Sequence, residues 1–136
     1  MGIGVVRIDH VQVTVPPARE GDAIRFYGEV LGLERIPKPP EAAKRGGAWF
    51  RHGAVQVHVS PEDVDATAHS GSKRHVCYVV ASLAAAERAL RDAGVAILPD
   101  PNPEPGWPRF YVRDPGGNRV EIAEPAEEAP PQARVV

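Results

Sequence analysis

The chain predicts an α+β fold made of two βαβββ modules, and three observations carry that expectation. Two strand-like segments, Asp9-His10-Val11 and Arg74-His75-Val76, each place a histidine directly after a charged residue, 65 positions apart. Each opens a half that runs strand, helix, glycine-ended helix stop and then further strands. Each half closes on a strand carrying an ionisable side chain, His58 in the first and Glu121 in the second, 48 and 46 positions after the opening histidine. Ligand-type side chains at matching points of two halves point to one metal site built by pseudo-symmetry.

The elements follow from periodicity. From His10 to Val15 the pattern alternates strictly, with His10, Gln12 and Thr14 on one face and Val11, Val13 and Val15 on the other. That period of two is a half-buried strand, ended by Pro16-Pro17. Residues 21–31 place Ile24, Tyr27 and Leu31 at helical spacing, and Gly32 is a natural stop. Short strands are expected at 33–36, 48–51 and 54–60, the last with Val55, Val57 and Val59 opposite Gln56 and His58. In the second half His75, Cys77 and Val79 alternate with Val76, Tyr78 and Val80. Ser82 stands where an N-cap belongs, and 83–93 is an alanine-rich helix stopped by Gly94. A short strand at 95–98 and a proline-rich loop to Pro108 precede a hairpin, 109–113 and 119–123, around Asp114-Pro115-Gly116-Gly117-Asn118.

Composition removes several function classes. A formal charge of −2 and a pI near 6.2 offer no basic field, so nucleic acid is not expected as a partner. No apolar run approaches the ~20 residues that span a bilayer. There is no secretory-type N-terminus, and the single cysteine, Cys77, excludes an internal disulfide, so a cytoplasmic protein is expected. At 136 residues the chain is read as one domain, 1–124, with modules at about 7–60 and 73–124. From Pro125 onward it is mostly Pro, Ala and Glu, and 125–136 reads as a disordered tail.

Parity is the informative signal. The valine-rich positions of four strands share one face, the face under the helices. The opposite face holds His10, Gln12, His58, His75, Cys77 and Glu121. A sheet that buries valine on its helix side needs no histidines on the other, whereas a polar concave face lining a cavity accounts for them. Three imidazoles and a carboxylate are borderline donors suited to Fe²⁺, Mn²⁺, Co²⁺, Ni²⁺ or Zn²⁺ rather than Ca²⁺.

The stretches IDHVQVTV (8–15), IRFYGEVLGL (24–33), VQVHVS (55–60), RHVCYVVASLAAAERALRDAG (74–94) and FYVRDPGGNRVEI (110–122) resemble the vicinal oxygen chelate superfamily. That superfamily includes glyoxalase I, fosfomycin-resistance proteins, extradiol dioxygenases and the metal-free bleomycin-binding proteins. The resemblance covers residues 7–124 and implies paired βαβββ modules whose mixed sheets curl around a metal cavity. It places metal ligands at His10, His58, His75 and Glu121, implying one divalent ion as cofactor, a small-molecule substrate and a homodimer.

Within the family two branches fit differently. Glyoxalase I resembles a two-acid quartet with glutamate where this chain has His58, so its base is missing here. Extradiol dioxygenases resemble the chain in taking ligands from positions like His10, His75 and Glu121. They keep an acid–base histidine near the His58 position and a catalytic tyrosine where Tyr111 stands. The expected function is thus a metal-dependent enzyme, a lyase or isomerase or an extradiol-type dioxygenase, acting on a small oxygen-chelating metabolite. The alternative is a metal-free protein that binds a drug or metabolite, as bleomycin-resistance proteins do. Catalytic candidates are His58 and Tyr111, with His58 open as ligand or base. His52 and His69 are expected at the solvent surface, Cys77 is expected to be inert, and Arg45, Arg51 and Arg109 are loose candidates for holding an anionic substrate.

Overall fold

The computed structural model describes residues 1–126. Two compact units emerge, residues 1–72 together with 114–118, and residues 73–113 together with 119–126. Each contains one four-stranded mixed sheet.

In the first unit β1 (His10–Val15), β2 (Glu34–Ile36), β3 (Ala48–His52) and β4 (Val55–Pro61) are ordered β1-β4-β3-β2. β1 runs parallel to β4, with Val11 opposite Val57 and Val13 opposite Val59, and the other pairs are antiparallel. The valine faces thereby coincide across the ladder, and Val15, Phe50, Val57 and Val59 are buried together with Ala23, Phe26 and Tyr27.

The helical segment departs from the expected regular helix. A 3₁₀ turn at Pro17–Arg19 leads into α1 (Glu20–Arg25), which continues as a π turn at Phe26–Val30, closed by a bond from the Leu31 N–H to the Phe26 carbonyl at 2.9 Å. The wider turn puts consecutive Phe26 and Tyr27 both in the core. Two short helices were not expected, α2 (Pro40–Ala43) and α3 (Ala66–Ser70). Asp65 caps α3 by accepting from the Thr67 N–H.

The second unit repeats the order as β5-β8-β7-β6, from β5 (His75–Val79), β6 (Leu98–Pro99), β7 (Arg109–Arg113) and β8 (Arg119–Ala123). β5 is parallel to β8, and Val112, Val120 and Ile122 are buried on one face of the sheet. α4 (Leu83–Asp92) is capped as expected, the Ser82 hydroxyl accepting from the Ala85 N–H. β6 is shorter and later than the expected 95–98, because the Val95 N–H still belongs to the helix end. It donates to the Leu90 carbonyl at 2.9 Å and the Gly94 N–H to the Arg91 carbonyl at 2.9 Å, with Gly94 at φ +79°, a Schellman termination.

The 114–118 turn links β7 to β8 but packs within the first unit. Asp114, 4% exposed, accepts from the Tyr27 hydroxyl at 2.6 Å, the Gly116 and Asn118 N–H groups at 2.8 and 2.9 Å, and the Asn118 side-chain amide at 2.9 Å. Asn118 also donates to the Thr14 carbonyl, and His69 bonds the Gly116 carbonyl at 3.1 Å. His69 is therefore half-buried and structural, correcting the expectation of a solvent-exposed side chain. Both glycines are required. A Cβ at Gly116 would stand 2.6 Å from Val15 Cγ1, and one at Gly117 (φ +84°) 2.5 Å from the Ala66 carbonyl oxygen. The Ala126 N–H donates to the Gly106 carbonyl, and of the tail expected at 125–136 residues 127–136 lie outside the described residues.

Removing the Asp114 carboxylate takes away its bonds from the Tyr27 hydroxyl and from the Gly116 and Asn118 N–H groups. Asp114→Ala is expected to cost ~3 kcal/mol or more and Tyr27→Phe about 1.5–3 kcal/mol, because each lost bond is buried and charge-assisted. Urea unfolding of the two variants checks this, and losses under 0.5 kcal/mol in both would contradict it.

Candidate functional site

Ladder register places the polar residues of each sheet on the face opposite the valines. In the first unit His10 lies across from Gln56, and Gln12 and Trp49 flank His58. The His58 ring, 5% exposed, is sandwiched between His10 (centroids 4.2 Å apart, planes at 13°) and Trp49 (4.0 Å, 3°). Its Nε2 sits 2.8 Å from the Gln56 side-chain oxygen, so Nε2 carries the proton there and Nδ1 keeps the lone pair. Burial, then the neighbouring His10 and Lys38, push the His58 pKa down, which keeps the ring neutral.

His10 is held the other way round. Its Nδ1 meets Asp9 Oδ2 at 2.9 Å, and Asp9 is also paired with Arg7 at 2.7 Å. The hydrogen bond from His10, followed by that from Arg7, holds the Asp9 carboxyl below its usual range. With Nδ1 engaged by Asp9, Nε2 is the nitrogen His10 presents.

The second unit centres on Glu121, which is 3% exposed. Its Oε2 accepts from Trp107 Nε1 at 2.9 Å and from the Cys77 thiol at 3.2 Å. Its Oε1 lies 3.0 Å from His75 Nε2 and 3.8 Å from Arg109 Nη1. Burial raises the Glu121 pKa, but the bonds from Trp107 and Cys77 and the charges of Arg109 and His75 outweigh it and leave the carboxyl below its ordinary value. The proton of His75 is fixed by geometry, because Nδ1 lies 2.8 Å from the Lys73 carbonyl. Its Nε2 faces Glu121 Oε1, so both ring nitrogens point at oxygen acceptors, and the gap between Nε2 and the carboxylate is a place that a proton or a bound cation fills.

The structure thus brings the expected donors together in pairs, His10 with His58 and His75 with Glu121. Among the described residues no three His, Cys, Asp or Glu side chains cluster as a metal site. The donor chemistry nonetheless fits a divalent ion. In both repeat-related histidines Nδ1 is anchored by an oxygen acceptor, which is how proteins orient an imidazole whose Nε2 binds a metal. Tyr111 is buried beside the second pair, its ring edge-on to His75 at 5.9 Å.

Other candidates sort plainly. His52 is exposed at the end of β3. Arg51 is paired with Glu34, and Arg109 is engaged by Asp100 at 2.7 Å. Sequence reasoning did not assign Trp107 to Glu121, since the contact arises from loop geometry. It also passed over Arg119, although strand parity put that residue on the Glu121 face; its guanidinium carbon lies 3.7 Å from the Tyr111 ring centroid.

The profile of the Glyoxalase/Bleomycin resistance protein/Dioxygenase superfamily matches residues 7–122. The chain belongs to this superfamily. A Bacillus anthracis protein assigned to the glyoxalase family is 38% identical, with 92% of this chain and 99% of that one covered and a TM-score of 0.79. Virulence protein STM3117 of Salmonella typhimurium is 25% identical over 127 residues, 87% of this chain and 83% of its own length. Lactoylglutathione lyase from Agrobacterium tumefaciens shares the fold at 20% identity and a TM-score of 0.62, over 87% of this chain and 92% of its own. No helix among the described residues is long and apolar enough to cross a membrane.

The Cys77 thiol is pushed up to about 12, by burial first and then by its bond to the Glu121 carboxylate. A higher pKa means less thiolate. In chelator-treated protein at pH 8, iodoacetamide is expected to alkylate Cys77 roughly 100-fold more slowly than free cysteine, whose pKa is ~8.5. A rate equal to that of the free thiol would contradict the Cys77–Glu121 bond.

Proposed function

We propose that this protein is a metal-dependent enzyme of its superfamily that acts on a small metabolite carrying two adjacent oxygens. His10, His75 and Glu121 hold one divalent ion of the Fe, Mn, Co, Ni or Zn type, and His58 is the neighbouring acid–base residue. The observation that carries this reading is the matched anchoring of His10 and His75. Each has Nδ1 on an oxygen acceptor and Nε2 presented, and the second faces a buried carboxylate. A divalent ion held by these residues supplies Lewis-acid polarisation of the substrate oxygens.

The chain's own residues do the rest. Trp107 and Cys77 occupy Glu121 Oε2, which leaves Oε1 as the presented donor. Gln56 engages His58 Nε2, which supports the acid–base reading in which the Nδ1 lone pair is the proton acceptor. Tyr111 lies against His75 and serves as the second catalytic candidate.

Assembly belongs to the same reading. β1 and β5 are edge strands of their sheets, and each carries an exposed ligand-type side chain, His10 on one and His75 on the other. Exposed edges invite pairing, so the protein is a homodimer with its sites near the interface. Light scattering at tens of micromolar should return twice the chain mass, and a monomer would count against this arrangement.

Anaerobic metal analysis tests the centre itself. The native protein is expected to bind about one ion per chain, and His75→Ala to lower the affinity at least ~10-fold, the range seen when a site loses a supporting group. A native protein that stays metal-free after reconstitution would leave the metal-free binding reading in place instead. His58→Gln separates the roles. It is expected to retain the ion and to lose ~10²–10⁴-fold in turnover on a responsive substrate, the usual contribution of an acid–base group. A fall in metal affinity would make His58 a ligand.

A further inference from the structure

The sheet face that carries Glu121 is richer in cations than a metal centre needs. Across the ladders of the second unit His75 lies opposite Arg119, and Arg119 opposite Arg113. Cys77 and Tyr111 flank Glu121. Opposite residues in a ladder point to the same side, so Arg113, Arg119, Tyr111, His75 and Glu121 share one face, with Arg109 in line beside Tyr111.

The arginines of this face are not equivalent. Arg109 is committed to structure, with Nε on Asp100 at 2.7 Å and Nη2 on the Asn102 carbonyl at 3.2 Å. Arg119 is different. Its guanidinium rests on the face of the Tyr111 ring at 3.7 Å, and its Nε is buried with no hydrogen-bond partner among the described residues. Asp100 feels the charge of Arg119, yet that carboxylate is already bound to Arg109. A buried N–H donor without an acceptor costs on the order of 1–3 kcal/mol, and a guanidinium has five donors, so this side chain is held in place for an acceptor that arrives from outside. The Tyr111 platform fixes the plane of the fork, and that ring also touches His75, next to the Glu121 carboxylate.

We infer that Arg119, seated on Tyr111, is the anchor for a carboxylate group of the substrate. A planar fork suits a planar two-oxygen anion, which it binds through paired N–H donors. The substrate class narrows accordingly, to a small carboxylic acid whose neighbouring oxygen functions reach the His75–Glu121 pair. This rests on the proposed reading of that pair as part of the catalytic centre, and Arg119 is a specificity residue within it, not a metal ligand.

The test uses sodium benzoate, with benzamide as its uncharged counterpart, titrated by ligand-observed NMR into the full-length protein in the presence of a chelator. Benzoate is expected to bind more tightly than benzamide. Arg119→Gln should weaken benzoate at least ~10-fold and leave benzamide unchanged, a step of about 1.4 kcal/mol. Arg119→Lys keeps the charge without the fork and should restore only part of the loss, which guards against a Gln variant that fails to fold. Both variants should keep the native metal stoichiometry. His75→Ala should keep benzoate binding while losing metal, so the metal reading and the anchor fail separately. Equal binding of benzoate and benzamide, unchanged benzoate affinity in Arg119→Gln, or tighter binding of inorganic phosphate than of benzoate would each overturn the assignment.

Discussion

The buried carboxylate of Glu121 organises the second unit. An ionised acid removed from water is costly unless its oxygens are matched by donors or cations. Here one oxygen takes the Trp107 indole and the Cys77 thiol, and the other faces His75 with Arg109 beyond it. These partners come from β5, the proline-rich loop and β7, so satisfying one charge settles where three separate pieces of chain end up. Arg109 extends the arrangement by tying that loop to Asp100. The first unit has its own buried acid, Asp114, but that one is fully engaged by Tyr27, Asn118 and backbone N–H groups. The contrast separates roles. Asp114 has hydrogen-bond donors all round and builds a turn, whereas Glu121 keeps one oxygen opposite the His75 imidazole.

The same comparison explains the histidines. Five imidazoles sit in the chain, and their ring nitrogens reveal what each is for. His69 bonds a backbone carbonyl within the Asp114 turn and holds structure. His10 and His75 anchor Nδ1 on oxygen and present Nε2. His58 does the reverse, with Nε2 on Gln56 and both faces of its ring covered. His52 stands exposed at a strand end. The two repeat-related histidines behave alike and the third candidate does not, which supports dividing them into ligands and an acid–base neighbour.

Much of this was legible in the sequence because a strand has an unforgiving period. Alternation from His10 to Val15 and from Val55 to Ser60 requires valines on one face and His10, Gln12, Gln56 and His58 on the other, and the ladder obeys it. The Ser82 cap and the Gly94 stop are local chemistry and were equally readable. What escaped depends on distant contacts. The π turn at Phe26–Val30 leaves no mark on the apolar period of 21–31, which reads as an ordinary helix. α3 and the role of His69 depend on a turn nearly fifty residues later. Arg119 shares the Glu121 face by parity, but its seat on the Tyr111 ring depends on a cross-strand contact that parity does not give.

The central claim is that His10, His75 and Glu121 bind a metal through two imidazoles and one carboxylate. X-ray absorption of the Co²⁺-loaded protein reads this directly, because imidazole rings give characteristic multiple scattering and their number can be fitted. Two imidazoles are predicted in the native protein, one in His75→Ala, and two again in His58→Gln. A cobalt spectrum with no imidazole scattering, unchanged by His75→Ala, would contradict the account.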